Sequence, residues 1–300
     1  MKLYSRFMVV LSVAIAGLLS TSSASAEWFL FRDRDNDYAR IYMGVNVDRT
    51  ELWVTLNDDE IVIVIAEYVG GMVVDGDDFD LDLADIQKLD LSGSSAVESI
   101  WVDPAVSTVI EVLVDTMGGN DVINGGTYAY GGPGDDVIRN SIRAFGRDGD
   151  DDMYAGPMTI EMRGGNGNDF ISLARATTDV ITHGDAGNDM IIGSPLADTI
   201  NGGPGDDILS GEGGNDDLSG DTGIDWLLGG PGHDYLNPGT YEGTRERVYG
   251  QAGNDTFRLR NLNNYYHDFG QSGNDVLDQR LPLRFQVLPT STTYTIGTLK

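Results

Sequence analysis

From about residue 116 onwards, an apolar side chain recurs at nine-residue intervals in a background of Gly, Asp and Asn. The repeated pattern is Gly-x-x-Gly-x-Asp-x-apolar-x, and six units follow without a gap from 184 to 237. Six further units begin at 116, 131, 146, 164, 250 and 270. Position 8 is apolar in all twelve units, which a flexible low-complexity linker would not maintain. The pattern therefore predicts a repeated folded unit.

Each unit divides into a turn of six residues and a short strand of three. Gly at positions 1 and 4 permits positive φ and a tight backbone curl, and Asp at position 6 ends the turn. The apolar residue at position 8 is expected to point inward, and positions 7 and 9 are expected to point outward. Leu209 and Leu218, at position 8 of consecutive units, are therefore predicted core residues on opposite sides of a coil.

Two units per coil would place units n and n+2 on the same side, about 4.8 Å apart. Their Asp carboxylates would repel one another unless a cation lay between them. Calcium takes about six to eight hard oxygen ligands, which two stacked turns can supply through carboxylates and curled backbone carbonyls. The same-side pairs in 184–237 begin at 184/202, 193/211, 202/220 and 211/229, which predicts about four ions there.

The units resemble the RTX, or hemolysin-type, calcium-binding repeat, whose consensus is Gly-Gly-x-Gly-x-Asp-x-apolar-x. The stretch from Asp216 to Asp234 also satisfies the longer signature of that family. The resemblance implies an all-β, right-handed parallel β-roll with calcium held between successive turns. It implies carboxylate ligands at Asp121, Asp136, Asp151, Asp169, Asp189, Asp198, Asp207, Asp216, Asp225, Asp234, Asp255 and Asp275. It implies turn-carbonyl ligands near Gly184, Gly187, Gly202, Gly205, Gly211, Gly214, Gly220, Gly223, Gly229 and Gly232.

Some units depart from the pattern. Leu196 replaces a glycine in the Asp198 turn, and the units at 116, 250 and 270 lack in-phase neighbours in the sequence. Residues 155–163 and 174–182 fit as turns without ion-binding residues, the second keeping Asp179 and Ile181 in phase. Residues 238–249 break the phase and are predicted to form a loop.

The flanking regions complete the predicted organisation. Residues 27–115 contain runs of β-branched and aromatic residues, which predict a β-rich region that is either a separate β-domain or an extension of the coil. The repeats extend over 116–278, with the contiguous core at 184–237. The tail, 279–300, alternates apolar and polar residues and is predicted to cap the open end of the coil. A C-terminal export signal is the alternative interpretation of this tail.

The N-terminus has the layout of a secretory signal peptide over residues 1–26. Lys2 and Arg6 precede an apolar run at 7–19, and a polar stretch ends in Ala-Ser-Ala. Cleavage is expected after Ala26. An apolar run of this length is short for a membrane span, so no transmembrane segment is expected after cleavage. The expected location is outside the cell, in the periplasm or on the cell surface.

The charge and the lack of cysteine limit which classes of molecule and ion this protein is expected to bind. Lys and Arg total 19 against 48 Asp and Glu, and the formal net charge is −29. Phosphates would be repelled, so nucleic acid is not an expected partner. The sequence has no cysteine, which excludes disulfides and thiolate zinc sites and leaves calcium as an available extracellular staple.

Motifs of known catalytic sites are missing from the sequence. Neither His-Glu-x-x-His nor Gly-x-Ser-x-Gly occurs, and the histidines His183, His233 and His267 read as exposed loop residues. The acidic residues at 33, 35 and 37 begin like an EF-hand loop, but its required Gly and Glu are missing, and 75–80 reads as an acidic turn.

The sequence thus predicts an exported calcium-binding β-roll that folds when it binds calcium and has a structural or interaction role. A secreted hydrolase that uses the roll for stability is one alternative. The other is an adhesin-like surface protein that binds an extracellular protein or glycan through residues 27–115.

Overall fold

The structure is a computed structural model. It describes residues 29–33, 38–43, 48–57, 60–69, 72–82, 86–239, 246–259, 265–266, 274–279 and 295–296. The chain divides into two compact units, residues 1–141 and 142–300.

Unit 1 is built almost entirely of strands. Its described elements are β1 (Phe29–Asp33), β2 (Tyr38–Tyr42), β3 (Arg49–Asn57), β4 (Glu60–Val69), β5 (Met72–Asp82), β6 (Lys88–Ser94), β7 (Val97–Val102), α1 (Pro104–Ser107), β8 (Glu111–Met117), β9 (Val122–Asn124), β10 (Tyr128–Pro133) and β11 (Val137–Arg139). Asp103 caps α1, since its carboxylate accepts a hydrogen bond from the Ala105 N–H.

Parallel coils begin well before the first glycine-rich repeat. In unit 1, β2, β6, β8 and β10 pair in parallel in one sheet, and β3, β7, β9 and β11 pair in parallel in the other. Antiparallel strands lie on their outer edges: β1 on β2, and the β3–β4–β5 meander. Of the two alternatives for 27–115, the structure therefore favours an extension of the coil.

Unit 2 consists of short strands only among its described residues. They are β12 (Arg143–Asp148), β13 (Asp152–Tyr154), β14 (Glu161–Asn166), β15 (Phe170–Ser172), β16 (Ile181–Ala186), β17 (Met190–Ile192), β18 (Thr199–Pro204), β19 (Ile208–Ser210), β20 (Asp217–Thr222), β21 (Trp226–Pro231), β22 (Tyr235–Asn237), β23 (Arg247–Ala252), β24 (Thr256–Leu259), β25 (Tyr265–Tyr266), β26 (Val276–Gln279) and β27 (Thr295–Ile296).

These strands form two parallel sheets. Sheet I of unit 2 contains β12, β14, β16, β18, β20, β22, β24, β26 and β27, and sheet II contains β13, β15, β17, β19, β21, β23 and β25. Met190 pairs with Ile208 and Ile208 pairs with Trp226, so strands two nonapeptides apart stack directly. The predicted all-β fold of parallel coils, with two units per coil, is confirmed.

The core follows position 8 of the repeat. Ile191, Ile200, Leu209, Leu218 and Leu227 are each at most 1% exposed. Their flanking residues at positions 7 and 9 are half-buried or exposed. The expected inward and outward pattern is confirmed, and burial of one aliphatic side chain in each turn contributes roughly 1.5–3 kcal/mol per residue.

Replacement of Leu209 by Ala should destabilise the calcium-loaded protein by about 2–5 kcal/mol, because it leaves a cavity among the buried position-8 side chains. Urea unfolding in calcium measures this change. Ile181→Ala is the matched control, since Ile181 is 52% exposed and should cost within about 0.5 kcal/mol. Equal losses in both variants would contradict the assignment of position 8 as the core.

Two expectations about irregular stretches need correction. In 174–182, the buried strand residue is Thr182, which pairs with Met162, and Ile181 points outward. Val180 is buried directly before the strand, where position 6 of a repeat would fall. The predicted phase there is wrong by one residue, because this coil is longer than its neighbours. The predicted loop at 238–249 is wrong in its last residues, where β23 begins at Arg247.

Other expectations lie outside the described residues. These are the signal peptide at 1–26, the residues at 34–37, His267, and nearly all of the tail at 279–300. The acidic run at 75–80 lies within strand β5, so the expected turn is wrong there.

Candidate metal centre in the stacked turns

The turns before the strands have a consistent backbone shape. Positive φ was expected at positions 1 and 4, and the structure has it at positions 2 and 4. Gly205 and Gly223, at position 4, have φ values of 152° and 147°. At position 2, Asp185 and Asp221 have φ values of 72° and 73° even though they carry side chains. The expectation for position 1 is therefore wrong, and glycine there needs another explanation.

Glycine at position 1 leaves space for the Asp of its own turn. An ideal Cβ on Gly184 would lie 2.6 Å from the Gly202 carbonyl oxygen and closer still to the Asp189 Oδ2. The same collision, with Asp207 and Asp225, would occur at Gly202 and Gly220. A carboxylate oxygen and a carbonyl oxygen of the next coil thus converge on space that any larger residue would fill.

The position-6 carboxylates form a hydrogen-bonded ladder from coil to coil. The Asp189 N–H donates to Asp207 Oδ1 at 2.8 Å, and the Asp207 N–H donates to Asp225 Oδ1 at 2.9 Å. On the other side, the Asp198 N–H donates to Asp216 Oδ1, and the Asp216 N–H to Asp234 Oδ1. Asp207 and Asp216 therefore belong to different ladders, as the spacing of the units predicts.

The second oxygen of each carboxylate is buried without a hydrogen bond. Within the described part of unit 2, eight Oδ2 atoms have no hydrogen-bond partner: those of Asp169, Asp189, Asp207, Asp216, Asp225, Asp234, Asp255 and Asp275. These side chains are at most 3% exposed. Leaving a buried charged oxygen without a partner costs several kcal/mol, so each of these atoms calls for a donor or a cation.

Burial also shifts the acidity of these groups. In the metal-free protein it raises the pKa of Asp207, Asp216 and Asp225 to about 7, and the pKa of Asp189 and Asp234 to about 6. Backbone N–H donors act against this rise, and for Asp207, Asp216 and Asp189 neighbouring carboxylates add to it. The metal-free site therefore favours the protonated carboxyl more than water does, and a bound cation would favour the charged form instead.

Backbone carbonyl oxygens of adjacent coils lie close to the same turns. No group of three or more His, Cys, Asp or Glu side chains in the described ranges is placed to hold a metal ion by itself. The position-1 carbonyl oxygens of Gly184, Gly202, Gly211 and Gly229 approach position 1 of the preceding coil. Those of Gly187, Gly205, Gly214 and Gly232, at position 4, approach position 4 of the following coil. Gly220 lies against Asp225 Oδ2, and Gly223 against the Gly205 carbonyl oxygen.

This donor set fits calcium. It consists of hard oxygens only, combines anionic carboxylates with neutral carbonyls, and draws them from two coils at a time. Glycine at position 1 keeps the space between these oxygens open. Calcium, when bound, would supply positive charge to oxygens that the fold otherwise leaves without partners.

The Asp198 turn differs from its neighbours. The N–H of Ser194 donates to Asp198 Oδ2 at 2.6 Å, and Ser194 Oγ accepts from the Leu196 N–H. Where Leu196 replaces glycine, the turn thus closes around its own serine. One carboxylate oxygen of Asp198 is already satisfied within the turn.

The isolated units fall into the same ladders. In unit 2, the Asp234 N–H donates to Asp255 Oδ1, and the Asp255 N–H donates to Asp275 Oδ1. In unit 1, the Asp121 N–H donates to Asp136 Oδ1 at 2.8 Å. Units without in-phase neighbours in the sequence therefore have neighbours in space, because coils of different length return to the same register. Asp151, in turn, donates its N–H to Asp169 Oδ1.

Sequence reasoning missed two glutamates at position 6. The Glu98 N–H donates to Asp121 Oδ1 at 2.7 Å, and residues 93–101 stack on 116–124 as a further nonapeptide unit. Glu246 directly precedes β23, as Asp225 precedes β21. Both are 0% exposed, and burial raises the pKa of each. The missed signal was an acidic residue followed two positions later by Ile100 or Val248.

Position 5 carries a second ladder at the surface. The Asp206 N–H donates to Asn188 Oδ1, and the Ile224 N–H donates to Asp206 Oδ1, both at 2.8 Å. His233 takes part in the same way, because its Nδ1 accepts from the Asn254 N–H. This ladder explains why Asn and Asp recur at position 5, and it gives His233 a structural role.

The fold and the turns define a class: a parallel β-solenoid whose stacked acidic turns present oxygen ligands. The family model of the RTX calcium-binding nonapeptide repeat matches residues 183–218 and 211–240. The repeats over 183–240 are therefore RTX calcium-binding repeats, and the parallel solenoid to which they belong fits an RTX-type β-roll. Among curated proteins, no match to this chain was found. No helix in the described ranges is long and apolar enough to cross a membrane.

Proposed function

We propose that this protein is an exported calcium-binding β-roll that folds when calcium binds between its coils, and that its role is structural or interactive. The RTX repeats support calcium binding by the roll. The observation that carries the rest is the set of eight buried Oδ2 atoms without hydrogen bonds, arranged along two ladders of stacked turns.

The ligands in this proposal are the position-6 carboxylates and the turn carbonyls of adjacent coils. The carboxylates are Asp121, Asp136, Asp151, Asp169, Asp189, Asp198, Asp207, Asp216, Asp225, Asp234, Asp255 and Asp275. Each would share an ion with the turn stacked on it in the adjacent coil, because those turns are in contact. Asp198 differs from the others in which oxygen is open: the N–H of Ser194 in its own turn donates to Oδ2, and Oδ1 is the buried oxygen without a hydrogen-bond partner.

Export is the setting in which such a site would act as a switch. The signal-peptide pattern of residues 1–26 supports export. Extracellular calcium modules commonly bind with dissociation constants of about 10⁻⁴–10⁻³ M, so they are empty at low calcium and filled outside the cell. The chain would then fold only after it has crossed the membrane.

Removal of two charges from one ladder tests the proposed ligands. In Asp207→Asn/Asp225→Asn, each amide keeps the Oδ1 acceptor but puts an NH₂ group where the free carboxylate oxygen lies. Isothermal titration should show the loss of at least about one calcium ion per chain, because the two residues line adjacent gaps between coils.

The matched control is Asp217→Asn, which removes one charge from an exposed, outward-facing position 7. This variant should bind as many calcium ions per chain as the wild type. An unchanged stoichiometry in the double variant would instead reject these carboxylates as ligands. A loss of bound calcium in the control as well would mean that net charge, not the site, governs binding.

A further inference from the structure

One column of outward residues on sheet II crosses six strands and is apolar on the four inner ones. We call it the apolar stripe. It consists of the position-7 residues of successive coils, continuous by strand pairing, with one charged residue on either side of the apolar ones: Asp152, Phe170, Met190, Ile208, Trp226 and Arg247. At about 4.8 Å per strand, it is about 24 Å long. Beyond Arg247 the column continues with Tyr265 of β25.

The stripe is open to solvent in the single chain. Met190, Ile208 and Trp226 are 40%, 37% and 40% exposed. The corresponding face of sheet I is mainly polar, with Arg143 paired to Glu161 at 2.6 Å. An ordered row of large apolar side chains on one face of a protein with net charge −29 indicates a surface that is covered in the working state.

The order of residues along the stripe is self-complementary. Read from either end, a charged residue is followed by an aromatic residue and then an aliphatic one. Reversal of the stripe places Met190 opposite Ile208, Phe170 opposite Trp226, and Asp152 opposite Arg247. The charges at the ends are opposite in sign, so the reversed copy is attractive at both ends.

We propose that the apolar stripe is the contact between two copies of this chain, related by a two-fold axis parallel to the strands. A two-fold contact is isologous, so one surface must complement its own reversed copy, as this one does. The two sheets would pack face to face about 10 Å apart, as in a β-sandwich. This inference does not depend on which oxygens bind calcium.

The two ends set the register of the pair. The Arg247 guanidinium lies 4.0 Å from the centre of the Trp226 ring, which holds it on the stripe. In the pair it would meet the partner's Asp152, and each of the two ends would carry one such contact. A parallel arrangement of the stripes would oppose like charges at both ends and is therefore disfavoured.

Sedimentation velocity of the full chain in millimolar calcium measures the association. The wild type should shift from monomer to dimer over about two decades of protein concentration, as expected for a contact of modest area. A wild type that stays monomeric throughout would overturn the proposal. Binding of such a monomer to phosphatidylcholine vesicles would assign the stripe to a lipid surface instead.

Charge reversal tests the arrangement itself. Asp152→Arg and Arg247→Asp should each raise the dimer dissociation constant by about tenfold or more, because each opposes like charges at both ends. An equimolar mixture of the two variants should recover dimerisation, since one copy then carries two basic ends and the other two acidic ends. Dimerisation of each variant at the wild-type concentration would overturn the two-fold register.

Two controls test whether the charge-reversal variants lose dimerisation because of misfolding or a change in net charge. Circular dichroism in calcium must give the wild-type spectrum for each variant. Asp217→Arg changes the charge as Asp152→Arg does, but at position 7 of sheet I. Its dimerisation should match the wild type, and a loss equal to that of Asp152→Arg would overturn the proposed face.

Discussion

Chelation of calcium with EGTA should remove most of the β-sheet signal from the far-ultraviolet circular dichroism spectrum of residues 27–300. Millimolar calcium should restore it. Without cations, the rows of buried carboxylates have unsatisfied oxygens, and each costs several kcal/mol if it stays charged. A domain is stable by only about 5–15 kcal/mol in total, so a few such sites exceed what the apolar core can offset.

Calcium shifts the folding equilibrium towards the folded state by mass action, because it binds that state. At about ten times its dissociation constant, each ion adds about 1.4 kcal/mol to the stability of the folded state, and several sites act together. The transition should therefore be steep in calcium concentration, because each filled gap aligns the next coil. Thermal unfolding at increasing calcium should show a rising midpoint for the same reason.

Magnesium at equal concentration is the control for ionic strength and charge. It requires a small octahedral shell and keeps its waters, so a cradle of carbonyls and carboxylates should bind it poorly. A β signal that survives EGTA at neutral pH would disprove the folding switch. Equal recovery in magnesium would show that general screening, not a calcium site, drives the folding.

The metal-free protein should become less structured as pH rises from about 4 to about 7, opposite to the usual behaviour of acidic proteins. The folded-state pKa of Asp207, Asp216 and Asp225 is about 7, whereas an unfolded Asp titrates near 3.9. Between these values the folded state binds more protons than the unfolded state. The free energy of unfolding therefore falls with rising pH across this window and levels off above it.

Calcium should reverse the sign of this dependence. Ions and protons compete for the same oxygens, so calcium affinity should rise as pH rises through the range in which these carboxyls ionise. Far-ultraviolet circular dichroism of the calcium-free protein and of the protein in calcium, at matched pH values between 4 and 7, separates the metal-free pH dependence from the calcium-bound one. Parallel curves with and without calcium would argue against competition at the buried carboxyls.

Two variants identify the carboxyl groups that cause the pH dependence of the metal-free protein. Asp207→Asn/Asp225→Asn removes two titrating carboxyls and should make the metal-free slope shallower. Asp217→Asn removes one carboxyl outside the ladders, whose pKa is also raised by partial burial, and should make the slope shallower by less than the double variant does. If the double variant kept the full slope, the pH dependence would have to come from other groups.

The sequence predicted the repeat architecture because one apolar residue per nonapeptide is a strong, regular signal. Leu209 and Leu218 are fully buried as expected, and the two-unit offset follows from geometry alone. Coils without glycine could not be found in this way. In unit 1 they rely on β-branched strands such as β3 and β7, whose pattern also fits an ordinary sheet.

The finer features of the site depend on contacts between coils. Glycine at position 1 looked like a requirement for positive φ, but the need for space appears only when Asp189 and Gly202 are seen together. Glu98 and Glu246 escaped a search for Asp, although they occupy the same place in the coil. Coil length also varies, so Asp255 and Asp275 join a ladder that a fixed nine-residue period does not reach.

The offset of 18 residues between stacked Asp residues has a consequence for how this chain can change length. A deletion or duplication of two whole nonapeptides adds or removes one complete turn of the coil and leaves every later side chain on its original face. A change of one nonapeptide keeps the core and the acidic turns, but exchanges the two outer faces downstream. The roll can therefore lengthen by single repeats without loss of fold, whereas continuity of a surface pattern along it limits such changes to pairs.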